Sequence, residues 1–291
     1  MSAHRQDLGR TGVSRLFWLE RRTGVVGREI HYLPVVDSTN RFLADLARGQ
    51  VATGTVVVAG HQTSGRGKND RPWQSRPGTG LMLSVLLRPR RPAEELAQAT
   101  LVIAVAVAEA VAEATGLEAA IKWPNDLMVE GRKLCGILCE LVMTPEGEPA
   151  HVIAGIGLNV RQGRADFPEA LGAIATSVAA EIGRPIDRFG LLAALLDRLD
   201  RRLGEWERTG FGPARQAWSA RSCTLGREIV LQGPEGPCHG TAMALEADGS
   251  LTLRGADGTL QNFLFGETSP LPAGSGGAAQ GSPQVKENER K

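Results

Sequence analysis

Residues 120–138, AIKWPNDLMVEGRKLCGIL, hold three strand-like segments joined by two bends. Ala120 to Trp123 and Asp126 to Val129 are apolar runs of strand length, separated by Pro124-Asn125, and Glu130-Gly131 turns the chain into a third run, Lys133 to Met143. A residue before proline is pushed to extended geometry, so Trp123 stays in line and Lys122 sits at a strand end with a fixed direction. A lysine held there can stabilise charge developing on a phosphate. Asn125 and Asp126 also fit the plainer role of shaping a turn beside proline.

Outward from this stretch the pattern continues. Upstream, Gly54 to Ala59 and Gly80 to Leu87 read as buried strands, and Ala93 to Thr115 as a long Ala-rich helix stopped by Gly116. Between the two strands lies the polar stretch His61 to Pro72, a loop containing Gly65-Arg66-Gly67-Lys68-Asn69-Asp70-Arg71-Pro72-Trp73. Its glycines let backbone approach a ligand, its cations suit phosphate or carboxylate, and Trp73 offers a flat face to a ring. The same loop, taken alone, fits a solvated basic surface, and it lacks the Walker spacing. Glu29 begins a strand, and Asp37-Ser38-Thr39 opens a short helix from Asn40 to Arg48.

Downstream, His151 to Val160 is a strand carrying Gly155 and Gly157, as the 133–143 run carries Gly136. Glycines inside strands mark close approach of a ligand or another backbone. Several of them, bracketing a cationic loop, suggest one ligand groove. An amphipathic helix runs from about Asp187 to Trp206, with Leu191, Leu192, Leu195, Leu199 and Leu203 on one side. After about Arg221 short alternating runs separated by Gly-Pro and Asp-Gly turns read as a small antiparallel barrel. This divides the chain into an arm (1–28), a main domain (29–220), a small β domain (221–270) and a polar tail (271–291) expected to be disordered.

Composition narrows the classes. The 291 residues are 42% hydrophobic with a net charge of +1, enough for a real core and without the basic excess of a nucleic-acid binder. The uncharged apolar stretch Leu96 to Ala108 is too short for a bilayer. No signal peptide is legible, and the four cysteines lack zinc or disulfide spacing, so the chain reads as cytoplasmic with no structural metal.

The segments Asp37-Ser38-Thr39-Asn40, Gln62 with GRGK and Trp73, KWPND, KLCGIL and GIGLN occur in the order typical of biotin protein ligases, over roughly residues 29 to 268. The chain resembles that family. The resemblance implies an α+β fold, a mixed and largely antiparallel sheet backed by helices (class II aminoacyl-tRNA synthetase-like), followed by an SH3-like barrel. It implies ATP-dependent formation of biotinoyl-5'-AMP with Mg2+ and transfer of biotin to a lysine of a biotin carboxyl carrier protein. By the same resemblance Ser38, Thr39, Asn40, Gln62, Gly65, Arg66, Gly67, Lys68, Lys122 and Gly136 hold biotin. Arg71, Trp73, Asn125, Lys133 and Asn159 hold the nucleotide, and Lys122, Arg66 and Lys68 carry the catalysis. Such proteins are monomers or homodimers.

Two departures stand out. The family loop reads GRGRxGRxW, whereas here Lys68 and Asp70 replace an arginine and a glycine. Lysine lacks the guanidinium fork, and Asp70 adds a negative charge that is expected to pair with Arg71 or Lys68, so a weaker grip on the adenylate is expected. Some relatives also carry an N-terminal DNA-binding domain and repress transcription. The 28 residues before the pattern lack its periodicity, so no binding to DNA is expected. A lipoate or octanoyl transferase is the nearest rival, without the GRGK-to-Trp73 loop. A non-catalytic biotin or nucleotide sensor would have to explain the retained Lys122 and Asn159.

Overall fold

Strand alternation sorts this chain onto two sheets. The computed structural model describes residues 24–233 and 236–270. Seven strands form the larger sheet: β1 (Ile30–Leu33), β2 (Val56–Ala59), β3 (Gly80–Leu87), β4 (Ala120–Lys122), β5 (Asp126–Val129), β6 (Arg132–Met143) and β7 (Pro149–Asn159). They lie in the order β1-β2-β3-β7-β6-β5-β4. Only β1 and β2 pair in parallel; the other neighbours are antiparallel.

Among the described residues five α-helices accompany the strands: α1 (Thr39–Leu46), α2 (Gln98–Thr115), α3 (Val178–Ile182), α4 (Arg188–Thr209) and α5 (Gly212–Ala220). On one face of the sheet the rows Leu83–Ile156–Ile137 and Leu81–Leu158–Cys135 bury branched and bulky side chains. They share one core with α2 and the leucines of α4. The alanines of α2 keep its surface flat, and Gly116 ends it in the left-handed conformation (φ +78°), its N–H returning to Ala112 O. Helix α2 is apolar enough to cross a membrane by composition, but here it is a core helix. The expected helical start at Ala93 is instead a separate single 3₁₀ turn, Ala93–Glu95.

The second sheet contains β8 (Glu228–Gly233), β9 (Gly236–Leu245), β10 (Leu251–Arg254), β11 (Leu260–Phe263) and β12 (Glu267–Pro270), in the order β11-β10-β9-β8-β12, all antiparallel. It is fastened to the first through β4. Ile121 N–H donates to Arg221 O, Cys223 N–H to Ile121 O and Trp123 N–H to the Thr224 hydroxyl, while the Thr268 hydroxyl donates to Trp123 O. Trp123 is buried at this joint.

The expected loose arm needs correction at its end. Val25 and Val26 N–H both donate to Asp200 Oδ1 (2.6 and 2.9 Å), and Val26 belongs to the core. Residues 1–23 and the expected tail, 271–291, lie outside the described residues.

Candidate active site

The opposite face of the same strands carries less bulk, being lined largely by glycines and polar residues. Gly80, Met82 and Ser84 on β3, Gly155, Gly157 and Asn159 on β7, and Gly136, Leu138 and Glu140 on β6 share this face by their register. Alternate residues of a strand point to opposite faces, so each strand is bulky toward the helices and, Met82 and Leu138 apart, small or polar here. Helix α1 covers one end of the face, burying Leu43 against Val57, Leu86 and Ile153. The other end is a shallow floor, and the strand glycines explain it.

Two side chains lie on that floor. A methyl group at Gly155 would stand 2.3 Å from Asn40 Oδ1, and one at Gly157 would stand 2.5 Å from Trp73 Cε2. Gly136 lies beneath the same indole and beside the Lys133 ammonium, each 3.2 Å from where its Cβ would be. The glycines expected to admit a ligand therefore admit Asn40 and Trp73 first.

At the start of α1, Ser38, Thr39 and Asn40 are all buried. Ser38 occupies the cap position without a side-chain bond to the helix. Asp37 takes the Ser38 N–H (2.7 Å) and the Arg41 guanidinium, which hold its carboxyl below its ordinary pKa. Thr39 donates from both its N–H and its hydroxyl to Gln62 Oε1 (2.7 and 3.0 Å). Ser84 Oγ lies 2.7 Å from Thr39 Oγ1 and 2.5 Å from Asn40 Oδ1. Asn40 Nδ2 reaches Glu140 Oε2 at 2.6 Å.

The cationic loop folds back on itself: Trp73 N–H donates to Gly65 O, and Gly67 N–H to Arg71 O. Its tip residues, Asn69 and Asp70, have φ of 54° and 55°. Asp70 thus takes the left-handed conformation for which a glycine is the easier occupant. Arg66 turns inward and donates to Glu140 Oε1 at 2.8 Å. The remaining cations turn to the second sheet. Lys68 Nζ donates to Gly266 O (2.6 Å), and Asn69 and Arg71 both bind the Glu267 carboxylate. Burial pulls the Lys68 ammonium below its ordinary pKa, against the pull of Glu267 and Asp126. The expected pairing of Asp70 with Arg71 or Lys68 does not form; its side chain is exposed and those cations have other partners.

Lys122, Asp126, Gly136 and Gly157 stand opposite one another across β4, β5, β6 and β7. In this row Asp126 Oδ1 lies 2.6 Å from Lys133 Nζ, which also sits 5.9 Å from the centre of a Trp73 ring. Lys122 has no ion-pair partner among the described residues, and its backbone is fixed by the joint between the sheets. Asn125 exchanges two bonds with Ile137 (N–H of Ile137 to Asn125 O at 2.9 Å, Nδ2 to Ile137 O at 2.8 Å), which is the turn-shaping role. Asn159 is buried and accepts from Gln162 Nε2 at 3.0 Å. Burial raises the Cys135 thiol far above its ordinary pKa and pushes Cys139 up to about 11, so neither is a ready thiolate.

With this geometry in view, residues 32–159 match the Biotin/lipoate A/B protein ligase family. The bifunctional ligase/repressor BirA of Bacillus subtilis is 37% identical over 81% of this chain and 73% of its own length. The biotin--[acetyl-CoA-carboxylase] ligase of Paracoccus denitrificans is 35% identical over 76% of this chain and 92% of its own. The biotin protein ligase from Aquifex aeolicus, solved in complex with biotin and ATP, superposes with a TM-score of 0.73 at 32% identity, covering 83% of this chain and 98% of that one. This chain belongs to the biotin protein ligase family.

The glycine-lined face is accordingly where a biotin protein ligase of this sequence has its motifs. Thr39, Asn40, Gln62, Ser84, Glu140 and Arg66 form one bonded cluster with Gly65 packed against Gln62, and Trp73, Gly136, Gly157, Lys133 and Asp126 a second beside it. Lys68 and Arg71 join neither, being held by Gly266 and Glu267. Ser84, Glu140, Gln162 and Glu267 were not expected from the sequence. A serine and a glutamate inside apolar strand runs were the available signal for the first two.

Proposed function

We propose that this chain joins biotin to ATP and then to a lysine of an acceptor protein, with the site on the glycine face. A biotin carboxylate oxygen attacks the α-phosphorus of ATP, and pyrophosphate leaves. The acceptor amine then attacks the acyl carbon of biotinoyl-5'-AMP, AMP leaves, and the amine loses a proton. The observation that carries this reading is convergence: the 38–40 segment, Gln62 and Arg66 meet on the one sheet face that also bears the Lys122 row. Ser38, Thr39, Asn40 and Gln62 would hold the biotin rings, with Gly65, Arg66, Gly67 and Lys68 over the acyl adenylate. Lys122 would offset the negative charge gathered as two anions meet. Trp73, Lys133, Asn159, Asn125 and Arg71 would line the nucleotide side.

Neither step needs an enzyme nucleophile, which suits the raised thiols of Cys135 and Cys139. Among the described residues no cluster of three His, Cys, Asp or Glu could cage a metal. Asp126 alone in the Lys122 row fits a magnesium ion held chiefly by nucleotide phosphates, where it would neutralise phosphate charge. We assign residues 29–220 to catalysis and 221–270 to closing the cationic loop. The proposed acceptor is a carboxyl carrier domain of a biotin-dependent carboxylase, met in the cytoplasm.

The test is biotin-dependent release of pyrophosphate from MgATP without acceptor, with biotinoyl-AMP identified by mass. Adenylate with lipoate but not biotin, or with neither, would contradict the reading. We further propose that Lys68 and Asp70 loosen retention of the adenylate. Lys68→Arg and Asp70→Gly should each slow its release, and no slowing in either would overturn that part.

A further inference from the structure

We infer that Glu140 is a positioning residue that aims Arg66 of the cationic loop at the acyl substrate by holding it beside Asn40 of the α1 start, an inference resting on the ligase reading above. Glu140 lies on the site face of β6, four residues beyond Gly136, and its side chain is half-buried. Each carboxylate oxygen has a different client. Oε1 accepts from Arg66 of the cationic loop (2.8 Å), and Oε2 accepts from Asn40 at the start of α1 (2.6 Å). These clients are 74 and 100 residues away in sequence. The loop also meets the start of α1 directly, through Thr39 on Gln62 Oε1 and through Ser64 N–H on Asp37 O, but among the described residues only Glu140 bonds the Arg66 guanidinium.

The chemistry requires a carboxylate. Ionised glutamate is acceptor-only and can serve two donors together, whereas glutamine has one acceptor and one donor amide. In a Glu140→Gln variant the new amide would face the donor of either Arg66 or Asn40, so one segment would be released. Asn40 has no room to retreat: Gly155 lies beneath it, and Ser84 Oγ is 2.5 Å from its Oδ1. Arg66 is therefore the partner that would swing away. Its Nε is buried with no acceptor among the described residues, while its outer nitrogen is held by Glu140. Glu140 thus aims a guanidinium whose side chain is about one-third exposed and whose second terminal nitrogen has no acceptor among the described residues. An anionic or carbonyl oxygen of an acyl group, whose ring end would lie at Thr39 and Asn40 on the reading above, is the ligand chemistry that suits it.

The test is a double-mutant cycle on biotinoyl-AMP formation by the full chain, using wild type, Glu140→Gln, Arg66→Ala and the pair. Glu140→Gln should raise KM for biotin by about 10- to 100-fold, as expected for loss of a charge-assisted hydrogen bond. KM for ATP should stay within about threefold and the melting temperature within about 3 °C. In the Arg66→Ala background the same change should cost under about threefold more, because its client is gone. Equal costs in both backgrounds, an unchanged KM for biotin, or a large fall in melting temperature accompanying the loss would each overturn the inference. If the wild-type protein itself makes no biotinoyl-AMP, the ligase reading fails first and independently.

Discussion

On the helix side of β3, β6 and β7 stand Leu81, Leu83, Cys135, Ile137, Ile156 and Leu158; on the other side of the same strands stand Gly80, Ser84, Gly136, Glu140, Gly155 and Gly157. The first set is sealed under α2 and α4, and its contribution is transfer of apolar area out of water. The second has little area to bury and leaves space instead, filled by Asn40 and Trp73 and ringed by polar groups. Period-two alternation lets one strand serve both purposes, so stability and chemistry are written on neighbouring residues and should be separable by mutation.

The largest separation should come from Gly157. A valine there would drive branches into the Trp73 indole, and adenylate formation should fall by about 100-fold or more. Its stability cost should be that of local overpacking, about 1–3 kcal/mol. The neighbouring Ile156→Ala should do the reverse. It should cost about 3 kcal/mol and lower the melting temperature by about 10 °C while KM for biotin holds. Kinetics and melting on the two proteins side by side check this; matching profiles would erase the distinction between the faces.

A smaller effect is expected at the latch between sheets. Glu267→Gln leaves one acceptor for two donors and so releases either Arg71 or Asn69, exposed contacts worth little in themselves. Release of biotinoyl-AMP should speed up by about two- to fivefold, more weakly at high salt.

The smallest concerns pH. His151 lies on the site-face side of β7, beyond α1, where burial and then the Arg88 charge lower its pKa from the ordinary 6.5. The unfolded chain then takes up that proton at higher pH than the folded one. His151 contributes stability above pH about 6.5 that fades as pH falls through the lower folded value. Replacing it with glutamine should remove a drop of about 1–2 °C in melting temperature between pH 7.5 and 5.5.

How much of this the sequence discloses depends on range. The bends at Pro124-Asn125 and Glu130-Gly131, the stop at Gly116 and the leucine stripe of α4 are local signals, and all appear in the fold. The short α3 and the helix GPARQAWSA of α5 are not, because their apolar residues are few and their burial is decided by distant partners. In the site, the glycines of β6 and β7 are legible as close approaches, but what approaches is not. That Trp73 lies over Gly157 depends on how a loop returns across the sheet. Ser84 and Glu140 are hidden inside GLMLSVLL and KLCGILCELVM, since a single polar residue in an apolar strand gains meaning only once register assigns its face. The loop cations read from the sequence as suited to phosphate or carboxylate, and the tie of Lys68 and Arg71 to Gly266 and Glu267 spans nearly two hundred residues.

The most direct measurement is the mass of a carboxyl carrier domain after incubation with this protein, biotin and MgATP, for wild type and Lys122→Ala. A gain of one biotin on the acceptor is expected with wild type, and its loss in the variant at an unchanged melting temperature. Biotinylation by Lys122→Ala at the wild-type rate, or no gain with wild type while the acceptor is modified by another biotin ligase, would contradict it.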